Sequence, residues 1–397
     1  MLNEIDNVGK PLQEFGAKHS ATGTTIFTVM SALAHQHNAI NLSQGFPDFH
    51  IDEQLSFLLG EAARTGHNQY APMAGLPSLR QAIADNFRKR YGLGIDPDNE
   101  ITITPGATYA IYTAFTAVLQ PGDAAILLEP AYDSYIPNIE MNGAKAIPVA
   151  LSAPDFKVDW NKVKDAITPK TRAIIINTPH NPTGTIWDKS DWDSLADIVR
   201  DTNIVILADE VYEQLVFDGL RHYSVLEHPE LRQRSFALYS FGKVFNCTGW
   251  KMGYAIAPPA FTDAFRKIHQ FVSFCVNTPA QFALASHLPT ETATPVNMVM
   301  QQKRDHFLSL MQKTPFTIRQ PALGSYFQIA SYERISDMPD MEFAQWLTKE
   351  YGVATIPVSA FYKNKKDDKL IRFCFAKKEE TLNEALRRLE RLSAKQL

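Results

Sequence analysis

Cysteine is scarce in this chain: Cys247, Cys275 and Cys374 are the only three in 397 residues. They form no CxxC pair and no metal-ligand spacing. A disulfide framework and a metal centre are therefore not expected, and a reducing compartment fits best. Long apolar runs are also missing, with no stretch near the ~18 residues that a bilayer-spanning helix requires. The opening MLNEIDNVGKPLQEF lacks the charged start and apolar centre of a secretory signal, so a cytoplasmic location and no membrane partner are expected. Blocks of Lys or Arg are absent too, and the formal net charge is −4 with a pI near 6.3. That balance argues against a nucleic-acid partner, while anionic small molecules need only a local site. The one dense charge run, KNKKDDK at 363–369, mixes both signs and reads as a solvated loop. Neither GxGxxG nor GxxxxGK[ST] occurs, so dinucleotide-binding and P-loop readings have no support.

What is present is ample core material: 45% hydrophobic and 21% charged residues, in a length that calls for a large and a small domain. The middle of the chain alternates short β-branched runs with helical patterns, the signature of a parallel sheet with crossover helices. Strands are predicted at 101–104, 124–128, 144–149, 173–177, 204–208, 235–239 and 253–257. Runs such as AIIIN and IVILA are apolar on consecutive positions, as in a sheet covered on both faces. Helices are predicted at 108–119, 189–200 and over one long stretch, 260–288. PTETATP, at 289–295, reads as a boundary. A helix at 296–312, a strand near 324–329, a helix at 342–351, a strand at 370–375 and a terminal helix follow. The expected fold class is α/β: a large domain at 49–290 with a mostly parallel seven-stranded sheet flanked by helices, plus a smaller α+β domain built from 1–48 and 291–397.

Four segments sit where strands end, which is where open α/β sheets collect ligands. SFGKVFNCTGWKMGY, 240–254, places Lys243 in a strand-exit loop. A lysine amine is nucleophilic only when neutral, a state that burial or a neighbouring cation favours. Read alone, a lysine after a glycine is an ordinary surface residue. IVILADE ends a buried strand in two carboxylates, and Asp209 there needs a cation or donor to meet it; the competing reading is a helix N-cap. NTPHNPTG, 177–184, is an irregular loop with free backbone and amide groups, or a plain strand-to-helix turn. TPGAT, 104–108, opens a helix with small residues, leaving its first N–H groups open to an anion.

The order of these segments, together with EPAYDSY and ADEVY, resembles the fold-type I, class I aminotransferases that use pyridoxal 5′-phosphate. The resemblance runs from Leu42 to about Ala376. NLSQGFPDF, NQYAPMAGLPSLR, CVNTPAQ and LIRFCFAKKE are most similar to the kynurenine aminotransferase branch, and within it to bacterial methionine aminotransferases. The resemblance implies that Lys243 forms the Schiff base with the cofactor and shuttles the proton. It implies that Asp209 faces the ring nitrogen and that Tyr212 and Asn181 bond the ring's phenolic oxygen. Tyr132, in EPAYDSY, matches the aromatic that stacks on the ring; many relatives carry Phe there. Ala107, Thr108, Ser240 and Lys251 match the phosphate ligands, the last a Lys where several relatives have Arg. Arg372, in LIRFCF, aligns with the clamp for the substrate α-carboxylate, completed by Gly45 and Asn181; a buried structural ion pair is the alternative reading. Tyr70 matches a tyrosine that reaches the partner's site, which implies a homodimer with shared active sites.

The implied activity is ping-pong transamination between an L-amino acid and a 2-oxo acid. By resemblance, Phe27, Phe274 and Tyr70 line the side-chain pocket, with Cys275 where kynurenine-acting relatives have histidine. Methionine and aromatic or large apolar donors are therefore expected. Kynurenine transamination or cysteine S-conjugate β-lyase activity is the alternative. A PLP-binding regulator is the remote one, since no basic helix-turn-helix pattern precedes the domain.

Overall fold

The computed structural model describes residues 23–290 and 295–395. The boundary predicted at PTETATP and the first part of the N-terminal segment lie partly or wholly outside those residues.

Seven strands form one sheet: β2 (Ile101–Thr104), β3 (Ala124–Glu129), β4 (Lys145–Ala150), β5 (Thr171–Asn177), β6 (Val205–Asp209), β7 (Ser235–Ser240) and β8 (Gly253–Ile256). A shorter β1 (Ile40–Asn41) precedes them. The spatial order is β2-β8-β7-β6-β5-β3-β4, with β8 antiparallel to both of its neighbours and the other pairings parallel. All seven predicted strands are there, each within a residue or two of its predicted ends. Period-two alternation divides their side chains between two cores. Ile126, Leu128, Ile206 and Ala208 face one core, and Ala125, Leu127 and Leu207 face the other.

Helices cover both faces. The α1 helix (Ile26–Gln36) stands apart near the N-terminus, while α2 (Glu53–Arg64) and α3 (Pro77–Tyr91) place Leu55, Ile83 and Phe87 in the first core. Along the second core run α4 (Ala107–Val118) and α5 (Tyr135–Met141). Further along come α6 (Trp160–Asp165), α7 (Lys189–Val199), α8 (Pro229–Arg232) and the short α9 (Phe241–Val244). The long helix predicted at 260–288 is two: α10 (Pro259–Val272) and α11 (Thr278–His287). Phe274 takes a left-handed φ of 67°, costly for a residue with a Cβ. Asn277 then caps the new helix by accepting from Ala280 N at 3.0 Å, and Pro279 occupies its first turn, where a missing N–H costs nothing.

Beyond residue 295 a smaller layer forms. The α12 helix (Val296–Met311) leads to β9 (Phe327–Ser331), α13 (Asp340–Glu350), β10 (Val353–Ala354), β11 (Ile356–Pro357), β12 (Leu370–Cys374) and α14 (Glu379–Leu389). The antiparallel sheet β11-β12-β9 packs on these helices around Phe307, Phe343, Phe373 and Leu386. N-terminal residues join this layer: β1 pairs in parallel with β10, and α1 buries Met30 beside Ala344 and Ile356. The 363–369 run is a loop, as its charge pattern predicts, but it is tied down at its start. Lys363 N donates to the buried Glu129 carboxylate at 2.6 Å, and Ala131 N to Phe361 O at 2.9 Å.

Candidate active site

Strand register, more than any single motif, assembles the site. Asn177 pairs with Asp209 across β5 and β6, and both sit at the carboxyl edge of the sheet. Gly253 pairs with Ser240 on one side and Thr104 on the other. That brings the turn after β2, with Gly106, Ala107 and Thr108, beside Ser240 and the segment carrying Lys251. A Cβ on Gly253 would meet Tyr239 O at 2.6 Å and Ala107 N at 3.0 Å, so the close approach needs glycine. Gly106, at φ 84°, caps α4 without a side chain, leaving the first helical N–H groups facing a cavity of about 290 Å³.

Each wall of that cavity has a distinct electrostatic character. Asp209 is buried; its carboxylate accepts from Tyr135 OH at 2.5 Å and Val211 N at 3.3 Å. Burial pushes its pKa up to about 6, against the pull of those donors. A turn rather than an α-helix follows it, so the N-cap reading of Asp209 does not hold. Lys243 sits opposite, its Nζ 3.4 Å from Gly45 O and 5.7 Å from the Tyr212 ring centre. Burial lowers its pKa to about 8, with Cys374 and Asp209 opposing the shift. Arg372 is fully buried. It donates to Asn181 Oδ1 and to Ser43 O, both at 2.7 Å, and lies 3.8 Å from the Phe327 ring centre. Its Nε has no hydrogen-bond partner and, among the described residues, no carboxylate pairs with it. The ion-pair alternative for Arg372 thus fails. Burial lowers its pKa to about 10.

Twelve of the residues read from the sequence line this one cavity: Phe27, Gly45, Ala107, Thr108, Tyr132, Asn181, Asp209, Tyr212, Ser240, Lys243, Lys251 and Arg372. Two do not. Tyr70 is 83% exposed and Phe274 45% exposed; they pack edge-to-face on each other at 5.5 Å, outside the cavity. Cys275 is not part of the lining either. Residues that the motifs did not single out also matter. Asn177 holds the loop by accepting from Asn181 N at 2.7 Å and donating to Asp209 O at 2.9 Å. Tyr135 bonds Asp209, Tyr326 donates to Gly45 O at 2.6 Å, and Phe327 supports Arg372. Asn177 and Tyr135 lie inside quoted motifs, so period and spacing within those motifs were the available signal. Phe327 and Tyr326 carry none.

The lining suits a phosphorylated pyridine cofactor on its own chemistry. Open helix N–H groups, Ser240 and Lys251 stand at one end, a buried carboxylate for a protonated ring nitrogen at the floor, and an amine of lowered pKa between them. Among the described residues no group of His, Cys, Asp and Glu is placed to hold a metal, and no helix is long and apolar enough to cross a membrane.

Comparison with known proteins agrees with this geometry. A family model for aminotransferases of class I and II matches residues 37–389. Methionine aminotransferase of Escherichia coli is 46% identical over 372 residues, covering 93% of this chain and 96% of that protein. Mouse kynurenine–oxoglutarate transaminase 1 is 33% identical over 394 residues, covering 90% and 92%. A solved Escherichia coli structure, reported as a methionine aminotransferase, matches with a TM-score of 0.92 at 45% identity, covering 96% of this chain and 100% of the other. The chain belongs to the class I and II aminotransferases, and is a pyridoxal 5′-phosphate enzyme of that family.

Proposed function

We propose that this aminotransferase takes the amino group from methionine and other large apolar or aromatic L-amino acids, and works as a homodimer in the cytoplasm. The observation that carries the reading is Arg372, a buried guanidinium without an anionic partner among the described residues, lining one cavity with Lys243 and the rings of Phe27, Tyr132, Tyr212 and Phe327. A buried cation costs free energy until an anion meets it, and a planar carboxylate fits the guanidinium fork. Among the described residues the cations that line the cavity are Arg372 itself, Lys243 and Lys251, so a second carboxylate on the donor side chain finds no partner there. The 46% identity to a methionine aminotransferase supports the same donor class.

When bound, pyridoxal phosphate supplies an electrophilic carbon and an electron-withdrawing ring. Ala107 and Thr108 N–H, Ser240 and Lys251 would hold its phosphate, Tyr132 would cover the ring face, and Asp209 would keep the ring nitrogen protonated. Asn181 spends its carboxamide oxygen on Arg372, which leaves its NH2, with the Tyr212 hydroxyl, for the ring oxygen. Lys243 would tether the cofactor and, as a free amine, would take the donor's Cα proton and deliver it to the cofactor carbon that the amine had vacated. Its lowered pKa raises the neutral fraction near neutral pH. Arg372 holds the carboxylate so that the Cα–H bond meets Lys243, a positioning effect of large leverage. Two domains, 49–290 and the N- and C-terminal remainder, form the cleft between them. Tyr70, exposed beside Phe274, would reach the partner's phosphate site.

Three outcomes test this reading. Across a panel of donors, methionine, phenylalanine, tyrosine and leucine should exceed aspartate and kynurenine in kcat/KM by at least about tenfold, the scale on which apolar pockets discriminate; a preference for aspartate contradicts it. Co-expressed Lys243→Ala and Tyr70→Ala subunits should regain activity above the sum of the two variants alone, because hybrid dimers restore one native site; no recovery argues against sharing. Finally, the lowered pKa of Lys243 makes cofactor-free protein gain stability as pH rises from about 8 to 10.5. In that window the unfolded chain carries a proton at this site that the folded chain does not. Urea unfolding should show the gain relative to Lys243→Met; a flat or opposite difference contradicts it.

A further inference from the structure

The strip Ser43-Gln44-Gly45 touches both Arg372 and Lys243. Ser43 O accepts from Arg372, and Gly45 O accepts from Tyr326 OH at 2.6 Å and from Lys243 at 3.4 Å. The Gln44 side chain turns the other way, to α1. Its amide nitrogen donates to Phe27 O at 2.9 Å and to Ser31 Oγ at 2.6 Å. Asn41 also donates to Ser31 Oγ, at 3.3 Å, and its own oxygen accepts from Ser43 N, Ser43 Oγ and Gln44 N at 2.6–3.3 Å. The backbone of the strip is therefore set by Asn41, while the Gln44 side chain reaches the helix.

Phe27 needs such a tie. It lies in the first turn of an 11-residue helix whose buried side chains, Met30 and Ala34, come later. First turns lack half their helical hydrogen bonds and open most readily. The Phe27 ring nonetheless lines the cavity, 5.3 Å from the Arg372 guanidinium carbon and 6.0 Å, edge-on, from Phe361.

We propose that Gln44 is a specificity-determining positioning residue: by pinning the first turn of α1 it fixes the Phe27 ring as the wall against which the donor side chain packs. The inference rests on the reading of Arg372 as the carboxylate clamp and of the donor as large and apolar. Arg372 recognises what all α-amino acids share. Gln44, through Phe27, acts only on what distinguishes them. Loss of the tie should leave alanine, whose methyl group does not reach the wall, nearly unaffected, and should penalise methionine.

The holoenzyme and its Gln44→Met, Ser31→Ala, Phe27→Ala and Gln44→Met/Phe27→Ala variants test this. Gln44→Met keeps the length of the side chain but removes both donated bonds; Ser31→Ala removes one bond from the helix side without altering the lining. Gln44→Met should lower the methionine-to-alanine ratio of kcat/KM about tenfold, mostly through KM, with a smaller fall for Ser31→Ala. Binding of 4-(methylthio)butanoate, the donor without its amino group, should weaken in parallel, while inhibition by acetate stays unchanged. Phe27→Ala should give the same loss, and adding Gln44→Met to it should change little, as expected for residues acting as one unit. Equal losses for alanine and methionine, an unchanged ratio, or additive losses in the double variant would overturn the proposal. A parent enzyme with no preference for methionine over alanine would instead overturn the reading of the donor class on which the proposal stands.

Discussion

A guanidinium with no surface in water and, among the described residues, no carboxylate paired with it is the constraint around which the rest of this site is arranged. Arg372 lies on the middle strand of a three-stranded sheet, and among the described residues its Nη groups are met by a carbonyl and a carboxamide oxygen. Neutral acceptors compensate a buried cation incompletely, so the protein holds open a place for an anion. Aromatic faces do the remaining work: Phe327, Phe361 and Phe27 stand 3.8, 5.0 and 5.3 Å from the guanidinium carbon, a cation–π enclosure that keeps water out while leaving one edge free.

The second constraint is the register of the large sheet. Asn177 beside Asp209, and Ser240 beside Gly253 beside Thr104, bring Asp209, Ser240 and the opening turn of α4 into one cavity with Lys243. Arg372 comes from the other layer, which meets this edge through the 42–45 strip and the Glu129–Lys363 and Ala131–Phe361 bonds. The site therefore belongs to neither layer alone. It needs the N-terminal residues too, since β1 and α1 ride on the smaller layer and carry Phe27 over the cavity.

Much of this was legible in the chain. Buried parallel strands announce themselves as continuous apolar runs, and the strand ends fell close to prediction because several of the runs stop at a polar residue. Asp209, Ser240 and Asn177 each end a strand. Helices were harder. The break between α10 and α11 combines a left-handed Phe274, which its side chain does not announce, with a start signal, Asn277 before Pro279, that the apolar run around it obscures. Support residues were the least visible. Phe327 and Tyr326 look like any core aromatics until Arg372 is seen against them, and Gln44 acts through contacts to residues 13 and 17 positions away. Tyr70 and Phe274 were read as pocket walls from resemblance, but within one subunit they face outward.

Borohydride reduction of the purified enzyme in pyridoxal phosphate, followed by proteolysis and peptide mass spectrometry, asks whether Lys243 carries the cofactor. The expected product is one phosphopyridoxyl group, on Lys243, in the peptide that also contains Ser240, with Lys251 unmodified. Stable labelling of Lys251 or another lysine in place of Lys243, or no label at all, would contradict it.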